Sequence, residues 1–307
     1  MSNNTVEFNR WVPREKSTWP FQVFQKYDIE LRKLYLSHLT ASKSLYKRLG
    51  VGGAQWPDKA NQHLELVIEH SKVFANLKSW SDSYNHFANW SRLNVIVAIS
   101  SNLETFMATV IRLAIESDPG ILLGASRTVD GILLQKSNAN KIDFEGRIMA
   151  CTKGDWSSRI SAYEALFGTV PAILVQKTAD LNAMRVLRNK VGHAFGRDIE
   201  SSRQHDVKEI VPMESLSPER MERYQRLAWK SAKAIDVHLL KWHIGEYQSL
   251  LFYHKMFPDL SMDVHASIRA MHFKKKIGRF KASLPSKEFC KGLVAYYEGL
   301  TKALSPE

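Results

Sequence analysis

Glycine and proline are thinly spread along this chain, with 15 and 10 among 307 residues. Long stretches hold neither, which disfavours many short strands and tight turns and favours helices. Cysteine is scarcer still. Cys151 and Cys290 cannot build a disulfide framework, so reduced thiols are expected. The start, Met1 to Phe8, lacks the apolar core of a secretory leader. The most apolar runs, Val95–Ile99 and Val170–Val175, fall far short of the roughly 20 residues of a membrane span. A soluble, cytoplasmic chain with no membrane association is the expectation.

Most chemistry-bearing motifs are missing too. The cluster Gly50-Val-Gly-Gly53 lacks both Gly-Lys-Ser/Thr and a preceding strand, so it is no phosphate loop. There is no His-Glu-x-x-His and no cysteine pair. His238 and His243 stand five apart on a predicted helix, without the i, i+4 spacing that places two ligands on one face. Neither a metal nor a cofactor is expected. No Gly-x-Ser-x-Gly elbow or kinase signature occurs, and the carboxylates are too scattered to nominate an acid–base pair.

What is present is a basic, core-forming chain. Hydrophobic residues make up 44% and charged residues 24%, ordinary proportions for a globular protein. The length suits one large domain or two modest ones. A net charge of +12 attracts polyanions and favours nucleic acid as partner, without conferring specificity.

The periodicity predicts an all-α fold. Residues 1–19, broken by Trp11, Pro13 and Trp19, read as an extended arm. A helix is predicted over Phe21–Leu49, stopped by the Gly50–Gly53 cluster. A second is predicted from Pro57 to Asn85 and a third from Ser91 to Ser117, with Ile96, Ile99, Leu103, Phe106, Val110 and Leu113 on one face. Short helices and a loop fill 120–154. Asp155 or Ser157 caps a helix ending at Gly168, and Pro171 opens the next, with Leu174, Leu181, Met184, Leu187 and Val191 facing the core. A long helix runs from Ser215 or Ser217 to Phe257, broken by Pro258. Two helices then join near Leu284-Pro285-Ser286. The chain thus divides into the arm (1–19), a main helical domain with an N-terminal helical extension (20–257) and a basic C-terminal helical segment (258–307). Trp80, Trp90, Trp229 and Trp242 fit helix packing.

The stretch Arg188-Asn189-Lys190-Val191-Gly192-His193 is the candidate for chemistry. Arginine, four residues and histidine is a common pattern. Its context raises it: asparagine directly follows the arginine, glycine precedes the histidine, and the whole closes a strongly patterned helix in a basic chain. This motif resembles the signature of the HEPN superfamily, small helical domains many of which are metal-independent endoribonucleases. The helix containing Ser101–Phe106 is similar to an early helix of those domains that bears an acidic or polar residue near the site; Glu104 occupies that place here. The resemblance covers about residues 90–250.

The resemblance implies RNA cleavage by attack of the ribose 2′-hydroxyl, leaving a 2′,3′-cyclic phosphate and a 5′-hydroxyl. His193 would serve as general acid or base. Arg188 would hold phosphate charge through its planar fork. Asn189 would orient the phosphate or the imidazole, and Glu104 would orient Arg188. Lys190 and Arg185 would touch the RNA backbone. Outside the resemblance, the basic run near the C-terminus offers Lys274, Lys275, Lys276 and Arg279 to a phosphate backbone by charge alone, with Phe273, Ile277 and Phe280 packing inward or stacking on bases. An equal reading of the same run is a helix with a solvated charged face.

Five residues along a helix turn through about 140°, so Arg188 and His193 share no face. They converge if the helix bends or ends near Gly192, or if a second copy completes the site. The family implies the latter, a homodimer whose two motifs meet, and a protein partner that silences or activates the enzyme. A toxin or phage-defence role follows from that analogy alone. One branch carries a tyrosine two positions after the histidine that a partner modifies; this chain has Phe195 there. Two other readings stay open: a catalytically silent HEPN-like module that binds RNA or protein, and a nucleic-acid-binding regulator in which His193 merely caps carbonyls.

Overall fold

A computed structural model describes residues 7–66, 73–137, 143–206, 208–260, 264–280 and 284–302. The fold is all-α, with no strand among the described residues. Its contacts divide it into two compact units. One takes in the chain up to Val23, Thr105–Gln176 and Ser231 onward; the other holds Phe24–Glu104 and Lys177–Lys230. Three long helices, α1 (Trp19–Val51), α2 (Leu77–Ser117) and α9 (Pro218–Leu239), contribute residues to both.

The unit holding the motif is built from most of α1, the first part of α2, helix α7 (Thr178–Ala194), the short α8 (Ile199–Ser202) and the start of α9. Leu93, Ile96, Ile99 and Leu103 of α2 are buried, as are Leu181, Met184, Leu187 and Val191 of α7. Of the predicted helix from Pro57 to Asn85, the described residues are α-helical only from Leu77 onward. The carbonyls that such a helix would spend internally go elsewhere: Asp58 O accepts from Leu77 N at 2.9 Å and Trp56 O from Lys78 N at 3.1 Å. Both satisfy orphan donors at the start of α2, where Asn76 Oδ1 caps Ser79 N at 2.9 Å. The predicted second and third helices therefore give way to one helix beginning at Leu77. Within that helix Asn89 faces the 214–216 segment, donating to Glu214 O and accepting from Leu216 N, each at 2.9 Å.

Helix α2 is long and apolar enough to cross a membrane by length and composition, which exceeds the short runs anticipated. Its apolar residues include Ile96, Phe106, Val110 and Ile111, which are buried, and 44% of its most apolar window is buried inside the protein.

The other unit gathers the arm, the end of α2, helices α3 (Gly131–Lys136), α4 (Glu145–Thr152), α5 (Trp156–Phe167) and α6 (Ala172–Gln176), the end of α9, and then α10 (Tyr247–Met256), α11 (Ala266–Ile277) and α12 (Lys287–Lys302). Helix α5 starts and stops where the sequence predicts: Asp155 accepts from Ser158 N, and Gly168 takes the left-handed conformation. The helix opened by Pro171 breaks at Lys177 (φ −116°, ψ 18°), separating α6 from α7.

The predicted unbroken helix to Phe257 is also interrupted. A π-helical turn, Leu240–Ile244, precedes Gly245. Gly245 has φ +52°, and a Cβ there would lie 2.3 Å from Arg10 O. The arm causes this break, since Glu246 N donates to Arg10 O at 2.9 Å. The arm is pinned at Arg10 and Thr18. Arg10 is 4% exposed, pairs with Asp130 at 2.9 Å, and donates to Ile244 O and Ser117 O. Thr18 bonds the buried Asp236 at 2.6 Å. Cys151 and Cys290 are buried and form no disulfide; burial pushes the Cys151 thiol up to about 11.

Candidate functional site

Helix α7 carries the motif on two faces. Its core stripe fixes the rotation, so Arg188 emerges half-buried at the flank. Its guanidinium lies 3.8 Å from Glu104 of α2, and Nη1 donates to Asn189 Oδ1 at 3.1 Å. Arg188, Asn189 and Glu104 are thus brought together within one unit. The guanidinium has five N–H donors, so an arrangement with two such neighbours can also present donors to a phosphate.

His193 sits in the last turn of α7 and is exposed. It makes no hydrogen bond among the described residues. The helix end is closed by backbone: Phe195 and Gly196 N–H groups both reach Lys190 O. Gly196 packs so close to Leu93 that a Cβ would stand 2.7 Å from its Cδ1. Carbonyl capping, the ordinary structural job for a histidine here, is accordingly taken by others. Helix α7 runs unbroken through Gly192 to Ala194, so the angle of about 140° between Arg188 and His193 stands within one chain. Phe195, at φ +54°, holds a backbone region that bulky residues rarely occupy.

The remaining nominated cations are placed differently. Lys190 is committed to Glu214 at 2.6 Å and Asp198 at 3.8 Å; the Glu214 hydrogen bond holds its ammonium above the usual value. Arg185 makes a long 3.4 Å contact to Asn182. Lys274, Lys275, Lys276 and Arg279 belong to the other unit, where Lys275, Lys276 and Arg279 are exposed and Lys274 is half-buried. Phe273 and Ile277 pack fully inward, while Phe280 is exposed. Arg269, of the same stretch, forks onto Glu298 at 2.9 Å through two nitrogens. Lys281 lies outside the described residues.

A second polar constellation left little trace in the sequence. Asp118, at the end of α2, is fully buried. Its carboxylate accepts from Ser126 Oγ and Arg127 N, each at 2.6 Å, and from His243 Nδ1 at 2.9 Å. Burial alone would raise its pKa; the three donors outweigh that and hold it below the ordinary value. His238 bonds Tyr163 Oη at 2.7 Å through Nδ1 and Thr169 Oγ1 at 2.9 Å through Nε2. Burial and the neighbouring His243 push its pKa down to about 4.

The reading that five-residue spacing separates the two histidines is corrected here. The π-helical turn follows His238 and contains His243, and i→i+5 geometry returns residues five apart to one side. Their ring centroids are 6.1 Å apart. Trp242 is 49% exposed rather than packed, and lines a cleft of about 460 Å³ with His238 and His243. Among the described residues no group of three or more His, Cys, Asp or Glu is placed to hold a metal ion. The only sequence signal for this site was the histidine pair; Asp118 is 125 residues from His243.

No protein family, curated protein or solved structure matches the chain.

Proposed function

We propose that this chain is a metal-independent endoribonuclease of the HEPN type, acting as a homodimer with a composite active site. The observation that carries the proposal is an exposed His193 with no structural duty, at a helix end the backbone already closes, five residues after an arginine held beside Glu104. In this reading the 2′-hydroxyl attacks the adjacent phosphorus and the 5′-oxygen leaves. Histidines of the two copies remove and return the protons. Arg188 neutralises the crowded phosphorane, a contribution of roughly 3–4 kcal/mol for one such donor. Two copies are needed because about 140° separates the two residues on one helix. Exposed Val186 and Phe195 supply apolar surface beside the motif for a second copy to cover. A toxin or phage-defence role in the cytoplasm, under a controlling protein partner, extends the same reading by analogy.

The second reading is a silent binding module. It is favoured by the same angle, because one chain alone offers no converged catalytic pair. RNA cleavage by wild type, His193→Ala and Arg188→Ala in the presence of EDTA separates the two, with oligomeric state measured in parallel. The expected result is cyclic phosphate ends from wild type and loss in both folded variants. Equal cleavage by all three would sink the assignment, and binding without cleavage by any would establish the module instead.

A further inference from the structure

The geometry points to a docking face for an anionic membrane surface on helix α11, where Ile268, Met271 and Leu284 lie beside Lys275, Lys276 and Arg279. All six belong to the unit that lacks the Arg188 helix, and the inference does not depend on the nuclease reading.

Helix α11 is apolar on two sides. Ala270, Phe273 and Ile277 are buried and anchor it in the unit. At about 100° per residue, Ile268, Met271 and Lys275 fall together on the side turned away from that anchor. Ile268 is 43% exposed and Met271 52%. Leu284 continues their strip. Gly278 follows Met271 on the same side about two turns later, and a Cβ there would stand 2.6 Å from Leu284 Cδ2. Leu284, 68% exposed, therefore lies over the end of the helix in line with Met271. Phe280, also exposed, adds apolar surface at that end.

The charge along this face is of one sign. No carboxylate occurs between Asp263 and Glu288. Arg269 is neutralised by Glu298. Lys275, Lys276 and Arg279 are exposed, and their side chains have no hydrogen bond or ion pair among the described residues. A cationic row flanking an aliphatic strip matches a bilayer that presents anionic headgroups above hydrocarbon. Lysine stems can lie along the apolar layer while their ammonium groups stay among the headgroups. An RNA strand would satisfy the cations alone and leave Ile268, Met271 and Leu284 in water. Those three aliphatic side chains decide for the lipid surface, and peripheral contact of this kind needs no spanning helix.

Co-sedimentation of the full chain with vesicles tests this. One set holds phosphatidylcholine alone, the other phosphatidylcholine mixed with phosphatidylserine. Binding to the mixed vesicles is expected, with little to the neutral ones, and it should weaken as salt is raised. Lys275→Gln and Lys276→Gln should each lower the affinity roughly fivefold. Met271→Ser combined with Leu284→Ser leaves the charge untouched and should lower it about tenfold. That pair separates a lipid-docking face from the general attraction of a basic chain to any polyanion. The substituted side chains are exposed, and thermal melting confirms that each variant is folded. His193→Ala should bind as wild type does. Absence of binding to the mixed vesicles would overturn the inference. So would binding that the Met271/Leu284 pair leaves unchanged. Capture of single-stranded DNA by the same lysines, without vesicle binding, would assign the face to nucleic acid instead.

Discussion

The two polar constellations of this protein are opposites in construction. Arg188, Asn189 and His193 come from six consecutive residues, stand at or near the surface and have few partners. Asp118, Ser126, Arg127, Tyr163, Thr169, His238 and His243 are drawn from across a unit and bond one another densely. Removing a group from the first leaves little unsatisfied. Removing one from the second breaks bonds to several neighbours, the buried His243 among them. Activity and stability should therefore separate between them.

The largest effect expected is on RNA cleavage: His193→Ala should lower the rate by about 100- to 10,000-fold, the span of general acid–base contributions. The same variant should leave the urea midpoint nearly unmoved, within about 0.5 kcal/mol of wild type. Next, Asp118→Ala should destabilise the fold by about 1–3 kcal/mol, because it leaves the buried His243 without its acceptor and breaks the bonds from Ser126 and Arg127. Urea unfolding measures this, and a loss below about 1 kcal/mol would break the contrast.

A smaller effect concerns pH. His238 has its pKa lowered from 6.5 to about 4 in the folded state, so between those values the unfolded chain binds more protons. Stability should be fully present above pH 6.5 and decline as pH falls toward about 4. In His238→Gln that part of the slope should disappear from a series of urea midpoints; an unchanged slope would assign the dependence elsewhere. The smallest effect is a gain. Phe195→Asn should stabilise the protein by about 1 kcal/mol, since asparagine tolerates the left-handed region better, with thermal melting as the readout.

The contrast also explains what could be read in advance. Helix α5 was legible because its cap, Asp155, and its stop, Gly168, are local. The Arg188–His193 motif was legible because it is contiguous, and the stripe from Leu181 to Val191 was legible because burial follows helical period. The failures are all long-range. The described residues after Pro57 stay out of an α-helix until Leu77 because carbonyls there serve α2. The helix from Pro218 broke at Gly245 because Arg10 and Trp11 lie against it. His238 and His243 met through a π-helical turn that no residue pattern announces. Asp118 ranked as a helix-ending residue until the fold set it beside His243.

The clamp at Arg10 also sets a timetable. A ribosome releases Arg10 234 residues before the Ile244 carbonyl it binds, an interval of roughly ten to fifty seconds at typical synthesis rates. The unit bearing Arg188 and His193 has all its segments once Lys230 has emerged. The unit clamped by the arm must wait for residues as late as Tyr296, which bonds Asp130 beside Arg10. During synthesis Arg10 thus precedes its partners by most of a unit and is placed only once Ile244 and Tyr296 have emerged.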